Sequence, residues 1–206
     1  MKSGTEKRTI AGLVGEIEIA IDMPSIEPVG IALVAHPHPL FGGTMDNKVA
    51  QTLARTLTEL GYISVRPNFR GVGQTAGEHD HGIAEAQDSL HVLSWMRDHL
   101  SADLPLVLAG FSFGSFVQSR VAAALSEAQQ TVQRMIMVGT AAGKWQVANV
   151  PSDSIVIHGE RDDVIPLDAV MRWAEPQKIP VTVIPGAGHF FHGDLHVLKQ
   201  IICQQW

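Results

Sequence analysis

Gly110-Phe111-Ser112-Phe113-Gly114 follows directly on the apolar run LVLA at 106–109 and opens a stretch of helical character. A short, uncharged run of this kind reads as a strand buried on both faces. A serine at the centre of G-x-S-x-G, between such a strand and a helix, occupies a sharp and strained turn. Side chains two positions before and two after it would collide, which is why glycine stands at both. The hydroxyl then lies at a helix N-terminus, where the dipole and unpaired N–H groups favour a developing negative charge. Taken alone, the pentapeptide also fits a simple N-cap serine after a tight turn. The rest of the chain decides between the two.

Outward from this segment the chain alternates short apolar runs with amphipathic stretches. Toward the N-terminus lie the run IALVA at 31–35 and a predicted helix over 46–60, in which Val49, Leu53, Leu57 and Leu60 recur on one face before Gly61 stops it. A run at 62–65, a glycine-rich polar loop at 68–77 and a helix near 83–100 follow. Toward the C-terminus, runs at 135–138, 155–157 and 181–184 precede a closing helix over 193–200. Before all of these, residues 10–21 read as two short antiparallel strands turning between Gly12 and Gly15. The order predicts an α/β fold: a mostly parallel sheet of roughly eight strands, helices on both faces, and the first two strands antiparallel at one edge. In such sheets the chemistry sits beyond the carboxyl ends of the strands.

Composition narrows the class. A chain of 206 residues sets an expectation of one domain, here 1–206. With 15 Lys and Arg against 21 Asp and Glu, and no basic run, it lacks the electrostatic footprint of a nucleic-acid or anionic-membrane binder. One cysteine, Cys203, makes neither an internal disulfide nor a Cys-based zinc site. Lys2, Lys7 and Arg8 precede an apolar stretch that Glu16 and Glu18 interrupt, with no small-residue cleavage site, so no targeting segment is expected. The longest stretch free of Asp, Glu, Lys and Arg, 28–45, contains Pro37, Pro39, Gly42 and Gly43 and does not suit a membrane helix. The expected compartment is the cytoplasm.

A serine hydroxyl becomes a nucleophile when a histidine takes its proton and a carboxylate fixes that histidine's tautomer. Two later strand ends offer these partners. The run at 155–157 leads into His158-Gly159-Glu160-Arg161-Asp162-Asp163-Val164-Ile165-Pro166, and the run at 181–184 into Pro185-Gly186-Ala187-Gly188-His189. Serine, acid, histidine is the chain order of one triad-bearing fold among several.

With these three motifs in that order, from about residue 30 to the C-terminus, the chain resembles an α/β-hydrolase. The resemblance implies the α/β-hydrolase fold, with Ser112 as nucleophile, His189 as base in a G-x-G-H motif, and Asp162 rather than Asp163 as the acid, since Gly159, Asp162 and Pro166 fit G-x-x-D-x-x-x-P. It implies two oxyanion donors, the N–H of Phe113 and one from the loop HPHPLFGG at 36–43. Pro37 and Pro39 have no N–H to give. Relatives often carry His-Gly-x here with the third residue donating, which by position is His38, with Leu40 next. The stretch HPHPLFGGTMDNK is similar to small, lidless hydrolases related to dienelactone hydrolases, although Pro37 stands where glycine is usual. The dienelactone branch itself uses a cysteine nucleophile, so that activity is not implied.

Many lipases and esterases insert a cap between the strands that correspond to 135–138 and 155–157, where this chain has about sixteen residues. No cap domain and an open site for small acyl groups are therefore expected, with Trp145 and Leu40 as candidate pocket residues. Arg70, in the Asn68-Phe69-Arg70-Gly71 loop, is expected to brace that loop. His192 with His196, His36 with His38, and His79 with His81 lack a third ligand at a fitting spacing, so no metal is expected, nor any cofactor. The reaction read from these residues is hydrolysis of small carboxylic esters through an acyl-enzyme, with a small acyl molecule as partner. The residues leave open a thioesterase, an amidase or peptidase using the same triad, and a non-catalytic binding protein on the same fold. Monomer and homodimer are equally open.

Overall fold

The computed structural model describes residues 4–206. Lys2 lies outside them. Eight strands form one sheet in the order β1-β2-β4-β3-β5-β6-β7-β8. β1 (Thr5–Ala11) and β2 (Glu16–Asp22) are the antiparallel edge hairpin expected from the sequence, closed by the Gly12 N–H donating to the Gly15 carbonyl at 2.7 Å. β1 starts earlier than the apolar pattern suggests, because its polar first half is exposed and its strand form comes from ladder pairing to β2. β2 also pairs antiparallel with β4 (Tyr62–Pro67). From β4 onward all neighbours are parallel: β3 (Gly30–Ala35), β5 (Leu106–Phe111), β6 (Arg134–Val138), β7 (Ile155–Gly159) and β8 (Val181–Ile184).

Two cores flank the sheet. Leu53 and Leu57 of α1 (Lys48–Glu59) and Leu198 and Ile202 of α5 (Leu195–Gln205) pack on Val34, Val107 and Ile136 on one face. On the other, Val92 and Met96 of α2 (Ile83–His99), Val117 and Val121 of α3 (Phe113–Glu127) and Val170 of α4 (Leu167–Ala174) pack on Leu33, Leu108 and Met135. Alternate residues of each central strand face opposite cores, so these strands are apolar throughout. The observed architecture is the α/β-hydrolase fold. The helix over 167–174, absent from the sequence reading, spans two turns and follows a proline that fixes its start. α5 begins later and ends later than 193–200, because Gly193 takes φ +86° while Ile202 continues the apolar stripe.

The chain passes from β3 to β4 on one side and then crosses to β5 on the other. That reversal opens a crevice between the loops after β3 and β5. Among the described residues no helix is long and apolar enough to cross a membrane.

Candidate active site

At the end of β5 the backbone turns at Ser112, which takes φ 55° and ψ −121°. A non-glycine residue there is strained and must be held by its surroundings. The Ser112 N–H donates to the Val138 carbonyl at 2.8 Å, and its carbonyl accepts the Ser115 N–H at 2.9 Å and the Ser115 hydroxyl at 2.6 Å. A Cβ on Gly110 would lie 2.5 Å from the Gly114 carbonyl, and one on Gly114 would lie 2.4 Å from the Ala35 carbonyl oxygen. Both glycines of the pentapeptide are thus demanded by backbone contact, the second because the elbow is pressed against the end of β3.

The loops after β7 and β8 bring two more side chains to this turn. His189 Nε2 lies 3.0 Å from Ser112 Oγ, and His189 Nδ1 lies 2.7 Å from Asp162 Oδ2. The other Asp162 oxygen accepts the N–H groups of Val164 and Ile165 at 2.9 and 2.7 Å. All three side chains are buried, whereas Asp163 is exposed. Burial pushes the Asp162 carboxyl up, but hydrogen bonds from His189 and the Ile165 N–H, and the neighbouring histidine charges, hold it below the usual carboxylate range. An ionised Asp162 accepts a hydrogen bond from the Nδ1–H of His189, which leaves Nε2 as an acceptor toward the serine.

His158 is a participant the sequence reading passed over. It is fully buried, its Nε2 donates to the Ile165 carbonyl at 2.9 Å, and the same nitrogen lies 3.4 Å from Asp162 Oδ2. It fixes the loop that carries the acid. Its place as the penultimate residue of β7, four before Asp162, was the available signal.

The loop after β3 is organised by His36, also fully buried. Its Nδ1–H donates to the Pro37 carbonyl at 2.6 Å and its Nε2 accepts the Phe69 N–H at 2.9 Å, tying the end of β3 to the segment after β4. Burial lowers its pKa from 6.5 to about 4, opposed by the hydrogen bond to Pro37. Below pH 6.5 the unfolded chain takes up a proton that the folded chain refuses until about 4. Stability should therefore drain away across that window, by about 3 kcal/mol in all. Urea unfolding at pH 7.5 and 4.5 checks this: His36→Ala, less stable throughout, should lose the corresponding part of the pH dependence, and an unaltered slope would refute the assignment.

A cavity of about 360 Å³ opens over Ser112 and His189, walled by Pro37, His38 and Phe41 on one side and Val164 and Phe190 on the other. The two pocket residues expected from the sequence do not line it. The single 3₁₀ turn Pro39–Phe41 leaves both Leu40 and Phe41 largely exposed, at 69% and 87%, and of the two Phe41 borders the cavity. Trp145 stacks on Phe116 and meets the rings of Phe113 and His38, backing the loop rather than facing the serine. Arg70 braces its loop, as expected, through a two-pronged pair with Asp88 of α2 at 2.5 and 3.0 Å. His79 Nδ1 lies 2.6 Å from the buried Glu85, and its ring packs on His38.

The family described as alpha/beta hydrolase domain matches residues 31–196. The chain belongs to this family. Among solved structures, this hydrolase is similar to XC6422 from Xanthomonas campestris, described as an α/β serine hydrolase without a lid. The two share 36% identity at a TM-score of 0.90, with 100% of this chain and 94% of that one covered. An α/β serine hydrolase homologue from Coxiella burnetii shares 37% identity at a TM-score of 0.85, over 99% and 98% of the two chains. A Rickettsia prowazekii protein, RP471, is 33% identical over 171 residues, 78% of this chain and 71% of that protein. Among the described residues no cap domain is inserted between β6 and β7, which are joined by residues 139–154 alone.

Proposed function

We propose that this hydrolase cleaves small carboxylic esters through an acyl-enzyme on Ser112. The observation that carries the reading is the continuous hydrogen-bonded line from Ser112 Oγ through His189 to Asp162, at 3.0 and 2.7 Å, at the floor of an open cavity. His189 Nε2 takes the serine proton as Oγ attacks the ester carbonyl, and Asp162 stabilises the imidazolium that forms. The tetrahedral oxyanion is held by the N–H groups of Phe113 and His38. Phe113 is the first residue of α3, so its N–H has no acceptor within the helix. Leu40 is the poorer second donor, because its N–H is taken by His38 Nδ1 at 3.3 Å. His189 then protonates the leaving alcohol, and water repeats the sequence on the acyl-enzyme. No cofactor enters this scheme.

A fluorophosphonate probe tests it together with p-nitrophenyl esters of graded acyl length. The expected result is one stoichiometric adduct on Ser112 and turnover that favours short acyl chains. An unreacted Ser112 with no ester turnover would favour a binding protein on this fold.

A further inference from the structure

Apart from Ser112 and His189, the polar side chains lining the catalytic cavity are His38, Asn47 and Lys144. Each has only donor capacity left to offer. Asn47 caps α1: its Oδ1 accepts the N–H groups of Val49 and Ala50 at 2.9 and 3.3 Å, which leaves its NH2 free. His38 Nδ1 accepts the Leu40 N–H, which places the ring proton on Nε2. Lys144, in the connection after β6, is exposed and makes no ion pair among the described residues. No carboxylate lines the cavity; Asp46, beside Asn47 in the chain, is paired with Lys7 at 2.7 Å. Phe41, Val164 and Phe190 supply the remaining, apolar surface.

A substrate that carried only donors, or a positive charge, would find no side-chain hydrogen-bond acceptor among the lining residues outside the machinery at Ser112. An apolar body bearing an acceptor-only group would satisfy the walls and the donors together, and a lone ammonium group selects an ionised acceptor. We propose that the natural substrates are esters that also bear a carboxylate, held by Lys144 with Asn47 and His38. The inference rests on the ester hydrolase reading above and narrows it to anionic esters. It makes these three residues determinants of specificity, with no part in the chemical step assigned to Lys144 or Asn47.

The test compares esters that differ only in charge within one enzyme, so that general damage to the fold or to the serine site cancels. Mono-p-nitrophenyl adipate against p-nitrophenyl hexanoate places the carboxylate on the acyl part. 4-Acetoxybenzoate against 4-acetoxybenzamide places it on the leaving group. The wild type should show a higher kcat/KM for the anionic member of at least one pair. Lys144→Met should reduce that ratio about 10-fold, the worth of one charge-assisted hydrogen bond. Lys144→Glu should invert it, and Lys144→Arg should keep most of it. Rising salt should erode the preference in the wild type, since the ammonium group is exposed. Turnover of the neutral esters without an anionic preference in either pair, or with a preference indifferent to Lys144→Glu, overturns the anionic-ester inference and leaves ester hydrolysis standing. No turnover of any of the four overturns both.

Discussion

Replacing Ser112 with alanine is expected to lower kcat on p-nitrophenyl acetate by about 10⁵-fold and to abolish fluorophosphonate labelling. The loss is large because one atom is removed from a unit that works only when complete. His189 Nε2 stands 3.0 Å from the hydroxyl that it would activate. The variant should fold normally: Ser112 makes its structural bonds through its backbone N–H and carbonyl, both of which alanine retains. The φ of 55° is the point to watch, since alanine accepts it no more readily than serine. Circular dichroism and the urea midpoint control for that. A double variant with His189→Ala should be hardly slower than Ser112→Ala alone, because the two groups act as one. Additive losses would mean that they act separately, and turnover close to wild type in Ser112→Ala would refute the nucleophile.

Asp162→Asn carries the second large effect. Asp162 accepts from His189 Nδ1 through one oxygen and from two backbone N–H groups through the other, and its carboxyl is held ionised below the usual range. An asparagine could keep the two backbone bonds through its oxygen and would then turn its NH2 toward His189. Nδ1 would have to become the acceptor, moving the ring proton to Nε2, where it blocks deprotonation of Ser112. The expected outcome is a fall in kcat of about 10⁴-fold at neutral pH with the fold intact. Because the exposed Asp163 touches none of these atoms, Asp163→Asn should stay within twofold of wild type in the same assay. Equal losses in the two variants would mean that the acid has been misassigned.

The features legible in the sequence were those in which local chemistry and tertiary structure ask for the same residue. Gly110 and Gly114 belong to a recognisable motif, and backbone contact forces both. The central strands read as uninterrupted apolar runs because both of their faces are covered. What escaped depended on rotation or on partners distant in the chain. Whether Leu40 or Phe41 faces the cavity is set by one turn of 3₁₀ helix, in which a shift of a single residue swings a side chain through about a third of a circle. Trp145 fell in the expected connection, yet the rings of Phe113 and Phe116 claimed it. His158 looked like one more histidine among ten until the fold placed its Nε2 3.4 Å from Asp162. The first half of β1 is polar and exposed, and only its pairing with β2 makes it a strand.

The brief passage of residues 139–154 between β6 and β7 bears on the fate of the intermediate as well as on the entry of substrate. A covered site can shield an acyl-enzyme long enough for a bound alcohol to capture it. Here an acyl group on Ser112 would sit at the floor of an uncapped cavity that water can enter, and water outnumbers any alcohol. On the proposed chemistry, the absence of a cap among the described residues favours hydrolysis over transfer in the second half of each cycle.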